Sequence, residues 1–125
     1  MPAVGTIRVF ALECRDPQPL AAFWSAVLDR EIVQRDDDWW SLEPGPGGSH
    51  LGFQVVPTYE PPLWPGENGE QQAHLDIEVD DLDEATAAVV ALGARPVTDV
   101  VDPGEEAWRV FLDPAGHPFC LVTLP

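Results

Sequence analysis

The sequence predicts an α+β fold made of two βαβββ modules, whose eight strands curl into a cup-like mixed sheet with the helices outside. Three observations support this fold class. Residues 74–79 alternate polar and apolar side chains, the period of a half-buried strand, and a helical pattern follows up to Gly93. A second strand-then-helix pattern occupies residues 6–28. Three shorter extended segments follow each helix, so the same unit occurs twice.

The first module spans residues 4–56 and begins with a strand over residues 6–14. Both faces of this strand are largely apolar, which is typical of a central strand that is covered on both sides. Asp16 then serves as an N-cap, and Pro17 occupies the first helical position. The helix carries an apolar stripe made of Leu20, Phe23, Trp24, Val27 and Leu28. The remaining strands are expected at residues 31–33, 39–42 and 51–56.

Residues 57–72 are the predicted connector between the modules. They contain four prolines and two glycines and show no periodicity, so irregular or polyproline-like structure is expected. Tyr59, Leu63 and Trp64 lie in this stretch, and a purely solvated linker would not favour such side chains. The connector is therefore expected to pack over other residues. By its length of 125 residues, the whole chain is predicted to be one domain, 1–125.

The second module spans residues 73–125. Asp81 is the predicted N-cap of its helix, and Glu84 stands three residues later, as in a capping box. The apolar stripe of this helix is Leu82, Ala85, Val89 and Leu92, and Gly93 is placed to end it in the left-handed conformation. Extended segments follow at residues 95–101, 108–112 and 119–124. A tight turn is expected at residues 113–116, where proline is second and glycine fourth.

The two modules align with one another along most of their length. Residues 9–14 match residues 74–79, and residues 39–42 match residues 108–112. The last strands match more roughly. In this alignment Val9 stands opposite His74, and Gln54 stands opposite Cys120.

Composition excludes some partners. A formal net charge of −16 argues against nucleic acids and anionic membrane surfaces, because both require Lys and Arg. No apolar run approaches the roughly 20 residues of a membrane span. The start, MPAVGTIRVF, lacks the pattern of a signal peptide, and two cysteines do not make a disulfide framework. We expect a cytoplasmic protein.

The pattern resembles the vicinal oxygen chelate superfamily, the group of glyoxalase, bleomycin-resistance and extradiol-dioxygenase proteins, and within it the short glyoxalase-like domains. The resemblance is carried by four segments that cover most of the chain: ECRDPQPLAAFWSAVLDREI (13–32), LGFQVVPTYEPPLWP (51–65), QQAHLDIEVDDLDEATAAVVALGA (71–94) and WRVFLDPAGHPFCLV (108–122). It implies the glyoxalase/bleomycin resistance fold. It does not specify the reaction, because this superfamily supports many unrelated chemistries.

The resemblance also implies where a metal would lie. Metal-dependent members take one ligand from the first strand and one from the last strand of each module, usually His and Glu. The matching positions here are Val9, Gln54, His74 and Cys120, so a single strong family ligand remains. We therefore expect no fully formed metal site. If a metal is bound, the ligands implied are His74, Gln54 and Cys120, a set that suits zinc better than Mg, Mn or Fe(II).

His74 has three interpretations: a hydrogen-bonded structural residue that orients a ligand, a general acid or base, and a metal ligand. Aromatic residues are the better indication of a small-molecule site, since there are five tryptophans in a short chain. Trp39 and Trp40 are adjacent on a strand, so one of them should point into the cup. The polar groups of the pocket would be Gln54, His74, Glu13 and Asp76. The residues predicted to bind a ligand are Gln54, Phe53, His74, Trp40, Trp64, Trp108 and Cys120.

The sequence thus predicts a protein that binds a small organic molecule in an aromatic-lined cup, as bleomycin-resistance proteins do. Acidic surroundings with an aromatic wall would suit a cationic or planar ligand. The alternative is a lyase, isomerase or dioxygenase that uses a metal or His74, and a third possibility is a scaffold whose site has decayed. Whether the protein is an enzyme stays open at this point. The resemblance also implies a homodimer.

Overall fold

The computed structural model describes residues 3–62, 73–102 and 106–124. The chain divides into two compact units, Met1–Tyr59 and Glu60–Pro125. The elements of the first unit are β1 (Val9–Cys14), α1 (Pro17–Leu28), β2 (Ile32–Arg35), β3 (Trp39–Leu42) and β4 (His50–Val55). Those of the second unit are β5 (Leu75–Glu78), α2 (Leu82–Ala91), β6 (Arg95–Pro96), β7 (Ala107–Leu112) and β8 (Pro118–Thr123). The predicted α+β class and the repeated βαβββ order are confirmed.

Each unit contains a four-stranded mixed sheet, and the two sheets share one topology. The strand order is β1-β4-β3-β2 in the first and β5-β8-β7-β6 in the second. The first and last strands of each unit pair in parallel, and the other pairs are antiparallel. The helix that follows the first strand makes this parallel pairing possible, since parallel strands need a crossover connection.

Helix α1 begins where the sequence predicts it. The Asp16 carboxylate accepts a hydrogen bond from the backbone N–H of Gln18 at 3.1 Å, and proline follows in the first turn. The helix ends at Leu28, and Asp29 forms its C-cap in a left-handed conformation with φ of 52°. Its buried residues are Leu20, Ala21, Phe23 and Trp24. Trp24 is fully buried, and together with Phe53 and Leu42 it forms the core of the first unit.

Helix α2 also begins at its predicted cap, because the Asp81 carboxylate accepts from the Glu84 backbone N–H at 2.9 Å. Leu82 and Val89 are its buried residues. Leu92, which was predicted on the apolar stripe, is exposed instead, because the helix ends at the preceding residue and Leu92 forms its C-cap. Gly93 follows with φ of 116°, as expected for the residue that ends the helix.

The predicted turn at residues 113–116 is confirmed, and it determines where β8 begins. The Gly116 N–H donates to the Asp113 carbonyl at 2.8 Å, and Gly116 has a positive φ of 87°. The buried Asp113 carboxylate accepts from the backbone N–H groups of Ala115 and His117, at 2.9 and 3.0 Å. Such bonds are costly to lose when the acceptor is buried, so this turn holds the start of β8 firmly.

Strand β1 differs from its prediction in one respect. It was expected to be central and covered on both faces, yet within the first sheet it is an edge strand that pairs with β4 alone among the described strands. Val9 and Phe10 are exposed. The prediction was wrong because two apolar faces in the sequence do not reveal which strands lie beside the one that carries them.

The sheet registers correct the alignment of the two modules. Ala11 pairs with Gly52 in the first unit, and Asp76 pairs with Cys120 in the second. Ala11 and Asp76 correspond when the two first strands are matched as predicted, so Gly52 is the counterpart of Cys120. The prediction that Gln54 stands opposite Cys120 is wrong, since Gln54 lies two residues further along its strand.

The pairing of β3 with β4 and of β7 with β8 supports the same two-residue correction. Trp39 pairs with Gln54, and its counterpart Trp108 pairs with Val122. The sequence could not reveal the error, because a shift of two residues leaves every side chain on the same face of the sheet. Among the described residues, neither helix has the length and apolarity to cross a lipid bilayer.

Candidate functional site

One face of the second sheet carries a row of polar side chains. His74, Asp76 and Glu78 alternate with Leu75 and Ile77, which are less exposed. Because successive side chains of a strand point to opposite faces, the three polar groups project on the same side of β5. This face contains the candidate site.

A cavity of about 470 Å³ opens on this face. Its lining residues come from β5, β7 and β8 and from residues directly next to these strands. They are His74, Asp76, Glu78, Glu106, Trp108, Cys120, Val122 and Leu124. Three of these side chains are carboxylates, one is an imidazole and one an indole. Among the described residues, no Lys or Arg lines the cavity. The potential inside it is therefore negative at neutral pH.

His74, Asp76 and Cys120 form a compact cluster at this cavity. Each offers one atom that can bind a metal, and these atoms all lie within 4.8 Å of one another. The His74 Nε2 atom lies 3.2 Å from Asp76 Oδ1. The His74 and Asp76 side chains are 40% and 61% exposed, whereas Cys120 is 7% exposed. A buried thiol thus lies beneath two side chains that solvent can reach.

The surroundings of Cys120 hold its thiol in the neutral form. Burial, the negative charge of Asp76 and a hydrogen bond with Asp76 together raise the pKa of Cys120 from 9.0 to about 11, and burial contributes most. The thiolate is the nucleophilic form of cysteine, so in the metal-free protein Cys120 is a poor nucleophile at neutral pH.

The donor set of the cluster fits zinc. Imidazole nitrogen, carboxylate oxygen and thiolate sulfur are the three ligand types that zinc takes in proteins. A site with one histidine and one thiol does not form the two-histidine, one-carboxylate set of non-haem iron oxygenases. The residues of the cluster therefore fit the metal that the fold family implies, with Asp76 in the set where the sequence implied Gln54.

Three of the other predicted ligand-binding residues belong to the first unit: Phe53, Gln54 and Trp40. Phe53 is fully buried in the core of this unit, and its contact with a ligand stays a prediction. The Gln54 amide donates to the Asp38 carbonyl at 3.0 Å. The Trp40 indole donates to the Asp36 carbonyl at 3.1 Å. Trp64 lies outside the described residues.

Three acidic residues take a larger part in the site than the sequence indicated. Asp76 completes the cluster, and Glu78 and Glu106 line the cavity. The alternation of β5 places Asp76 and Glu78 on the same face as His74, so this signal was present in the sequence. Glu106 precedes β7, and no motif or period marks it.

The fold and the cavity define a class of protein. A glyoxalase/bleomycin resistance protein/dioxygenase family enzyme from Burkholderia phytofirmans PsJN superposes with a TM-score of 0.73 and 21% identity, covering 94% of this chain and 97% of its own. A glyoxalase-related enzyme from Fulvimarina pelagi matches with a TM-score of 0.73 and 17% identity over 98% and 90% of the two chains. The fosfomycin resistance protein FosX from Mesorhizobium loti gives 0.69 and 18% over 99% and 95%. These likenesses show the glyoxalase/bleomycin resistance fold.

The family is given by the sequence itself. Residues 9–122 match the model of the glyoxalase-like domain, and the chain belongs to this family. It is thus a member of the vicinal oxygen chelate superfamily, as the resemblance implied. A comparison with curated protein sequences gave no match.

Proposed function

We propose that this glyoxalase-like protein binds a small organic molecule in the cavity of its second unit. The observation that supports this most directly is the cavity itself, which combines an indole and aliphatic walls with a few converging polar groups. Its volume of about 470 Å³ is of the size that small-molecule sites have.

The charge of the cavity limits the ligand class. Asp76, Glu78 and Glu106 would repel an anion, whereas a cation would gain from them and from the face of Trp108. We therefore propose a neutral or cationic ligand. The Mesorhizobium loti protein is named for fosfomycin resistance, but its likeness to this chain is one of fold and does not indicate a ligand.

A thermal-shift series tests this function. Benzyltrimethylammonium, benzyl alcohol and benzoate present one ring with positive, neutral and negative charge, and we expect stabilisation to decrease in that order. Glu78→Gln should reduce the effect of the cation, whereas Glu60→Gln, which removes an exposed charge outside the cavity, should not. The proposal would be contradicted if benzoate stabilised the protein as much as the cation does. It would also be contradicted if none of the three probes stabilised the protein.

The second candidate is an enzyme, a lyase, isomerase or dioxygenase, in which His74 acts as a base or binds a metal. The contact that favours it is the 3.2 Å pair of His74 Nε2 and Asp76 Oδ1, because a carboxylate partner orients an imidazole. Its test is the exchange of carbon-bound protons of 2-oxo and 2-hydroxy compounds into deuterated water, followed by NMR. Proton exchange that is abolished by His74→Gln would establish the enzymatic function. If no compound showed exchange, the enzymatic function would be rejected and the binding function would remain.

We further propose that the protein is a cytoplasmic homodimer. The exposed apolar side chains of Ile7, Val9 and Phe10, on and just before β1, support association, since an apolar sheet edge is a ready surface for a second chain. Light scattering measures the mass in solution, and fractionation of cells measures the location.

A further inference from the structure

We propose that His74, Asp76 and Cys120 form a zinc site whose protein ligands all come from the second unit. The proposal rests on the proposed function only in that both use the same cavity. It differs from the arrangement that the family resemblance implies, in which both modules contribute ligands.

The main chain holds the three ligands together. Asp76 and Cys120 are directly paired in the register of β5 and β8, so the sheet itself fixes their separation. Neighbouring strands of a sheet lie about 4.8 Å apart. His74 lies two residues before Asp76 and projects on the same face. The hydrogen-bonded turn at Asp113 fixes the start of β8 and therefore the position of Cys120 along this strand.

The distances suit a tetrahedral ion. Ligand bonds of zinc to N, O and S imply separations of roughly 3.3–3.8 Å between the ligand atoms. The nitrogen and oxygen already lie 3.2 Å apart, and no pair exceeds 4.8 Å. Small rotations of the exposed His74 and Asp76 side chains would therefore close the site. A zinc held by these three residues would supply a Lewis acid at the wall of the cavity.

Among its described residues, the first unit has no equivalent set. Val9, Ala11 and Gly52 are the counterparts of the three ligands by strand register, and none of them has a side chain that binds metal. The space above Gly52 is filled, because a Cβ added there would meet the ring of Trp39. The place that corresponds to the thiol of the second unit is thus occupied by an indole. This asymmetry is the reason for assigning the ligands to one unit.

The test is a titration of the untagged, chelator-treated full chain with Co²⁺ alone. Cobalt replaces zinc in such sites, and a thiolate ligand gives a charge-transfer band in the near ultraviolet. We expect one cobalt per chain with this band, and we expect an equivalent of Zn²⁺ to abolish it. Binding requires the thiolate, so it should also release protons.

Variants separate the ligands from their surroundings. Cys120→Ser should remove the charge-transfer band, and Asp76→Asn should weaken cobalt binding by at least about tenfold. Glu78→Gln is the matched control, since it removes one negative charge from the same strand face without removing a ligand. Gln54→Ala is the second control, because it tests the ligand set that both modules would share. Gln54→Ala should change the affinity less than about threefold, and Glu78→Gln, which removes one cavity charge, should weaken cobalt binding clearly less than Asp76→Asn does.

Three results would overturn the proposal. These are the absence of the band at stoichiometric cobalt, equal effects of Asp76→Asn and Glu78→Gln, and a loss in Gln54→Ala as large as that in Asp76→Asn. Asp76 is exposed, so its variant is expected to fold even if Cys120→Ser does not. The thermal-shift series with small molecules is measured on chelator-treated protein, so its result does not depend on whether the zinc site exists. The cobalt titration is likewise measured without any small molecule, so it does not depend on the proposed ligand.

Discussion

His74 shows how one residue gains meaning from its neighbours. Its place at the head of a strand was evident from the sequence, but the partners that determine its chemistry were not. The structure places the Asp76 carboxylate 3.2 Å from its Nε2 atom and the Cys120 thiol close by. Because its side chain is 40% exposed, His74 contributes little to the core, and its interactions are directed toward the cavity.

Replacement of His74 by Ala should leave folding intact and weaken ligand binding. A polar contact this exposed contributes less than about 1 kcal/mol, so the free energy of unfolding in urea should change by no more than that. The thermal shift caused by benzyltrimethylammonium should fall at the same time. A loss of more than about 2 kcal/mol in stability would indicate a structural role instead.

The reactivity of Cys120 should follow its raised pKa. In chelator-treated Cys14→Ala protein, the rate of alkylation by iodoacetamide should rise with pH. The midpoint of this rise should lie near pH 11 and not near pH 9.0. The folded state holds the proton more tightly than the unfolded state, so stability should fall as the pH rises from 9.0 toward 11. Urea-unfolded protein, which should titrate with an ordinary thiol pKa, is the control. A midpoint near 9.0 in the folded protein would contradict this environment.

At the scale of elements, the two helix caps were predicted correctly because they depend on local chemistry. Asp16 and Asp81 accept the bonds that capping requires, and both helices begin directly after them. The position of Leu92 was not predicted, because the apolar period continues past the residue at which the helix ends.

Removal of the second cap should destabilise the protein. Asp81→Ala should lower the free energy of unfolding by about 1 kcal/mol, since it leaves the Glu84 N–H without its acceptor. Asp80→Ala removes a neighbouring charge but no cap, and it should cost clearly less. Urea denaturation of both variants measures the difference, and equal losses would mean that charge rather than the hydrogen bond matters.

The close contact of β3 and β4 in the first unit gives a second prediction at this scale. Gly52→Ala should destabilise the protein by about 1–3 kcal/mol, because the new methyl group meets the Trp39 ring. Gly47 has open space around it, so Gly47→Ala should cause no such loss. Thermal unfolding compares the two variants. A neutral Gly52→Ala would show that the Trp39 ring is not held over that position.

At the scale of the whole molecule, two features act on the association of two chains in opposite directions. The exposed apolar residues of β1 favour it, whereas the net charge of −16 opposes it. If the homodimer forms through this strand, Phe10→Asp should produce monomers, and raising the salt concentration should favour the dimer of the original chain. Light scattering measures both. Val33→Asp is the control, since Val33 is exposed on β2, at the far edge of the same sheet. A monomer at every salt concentration would refute the dimer.

The sequence by itself determined the order of the elements, the two caps and the repeated module, because hydrophobic period, capping and turn chemistry act over a few residues. It also marked His74, and the alternation on its strand already placed Asp76 on the same face. Only the tertiary structure decided that Asp76 lies opposite Cys120 and that Gly52, not Gln54, is the counterpart of that thiol. Strand register and burial depend on contacts between distant parts of the chain, and a two-residue shift leaves the local pattern unchanged.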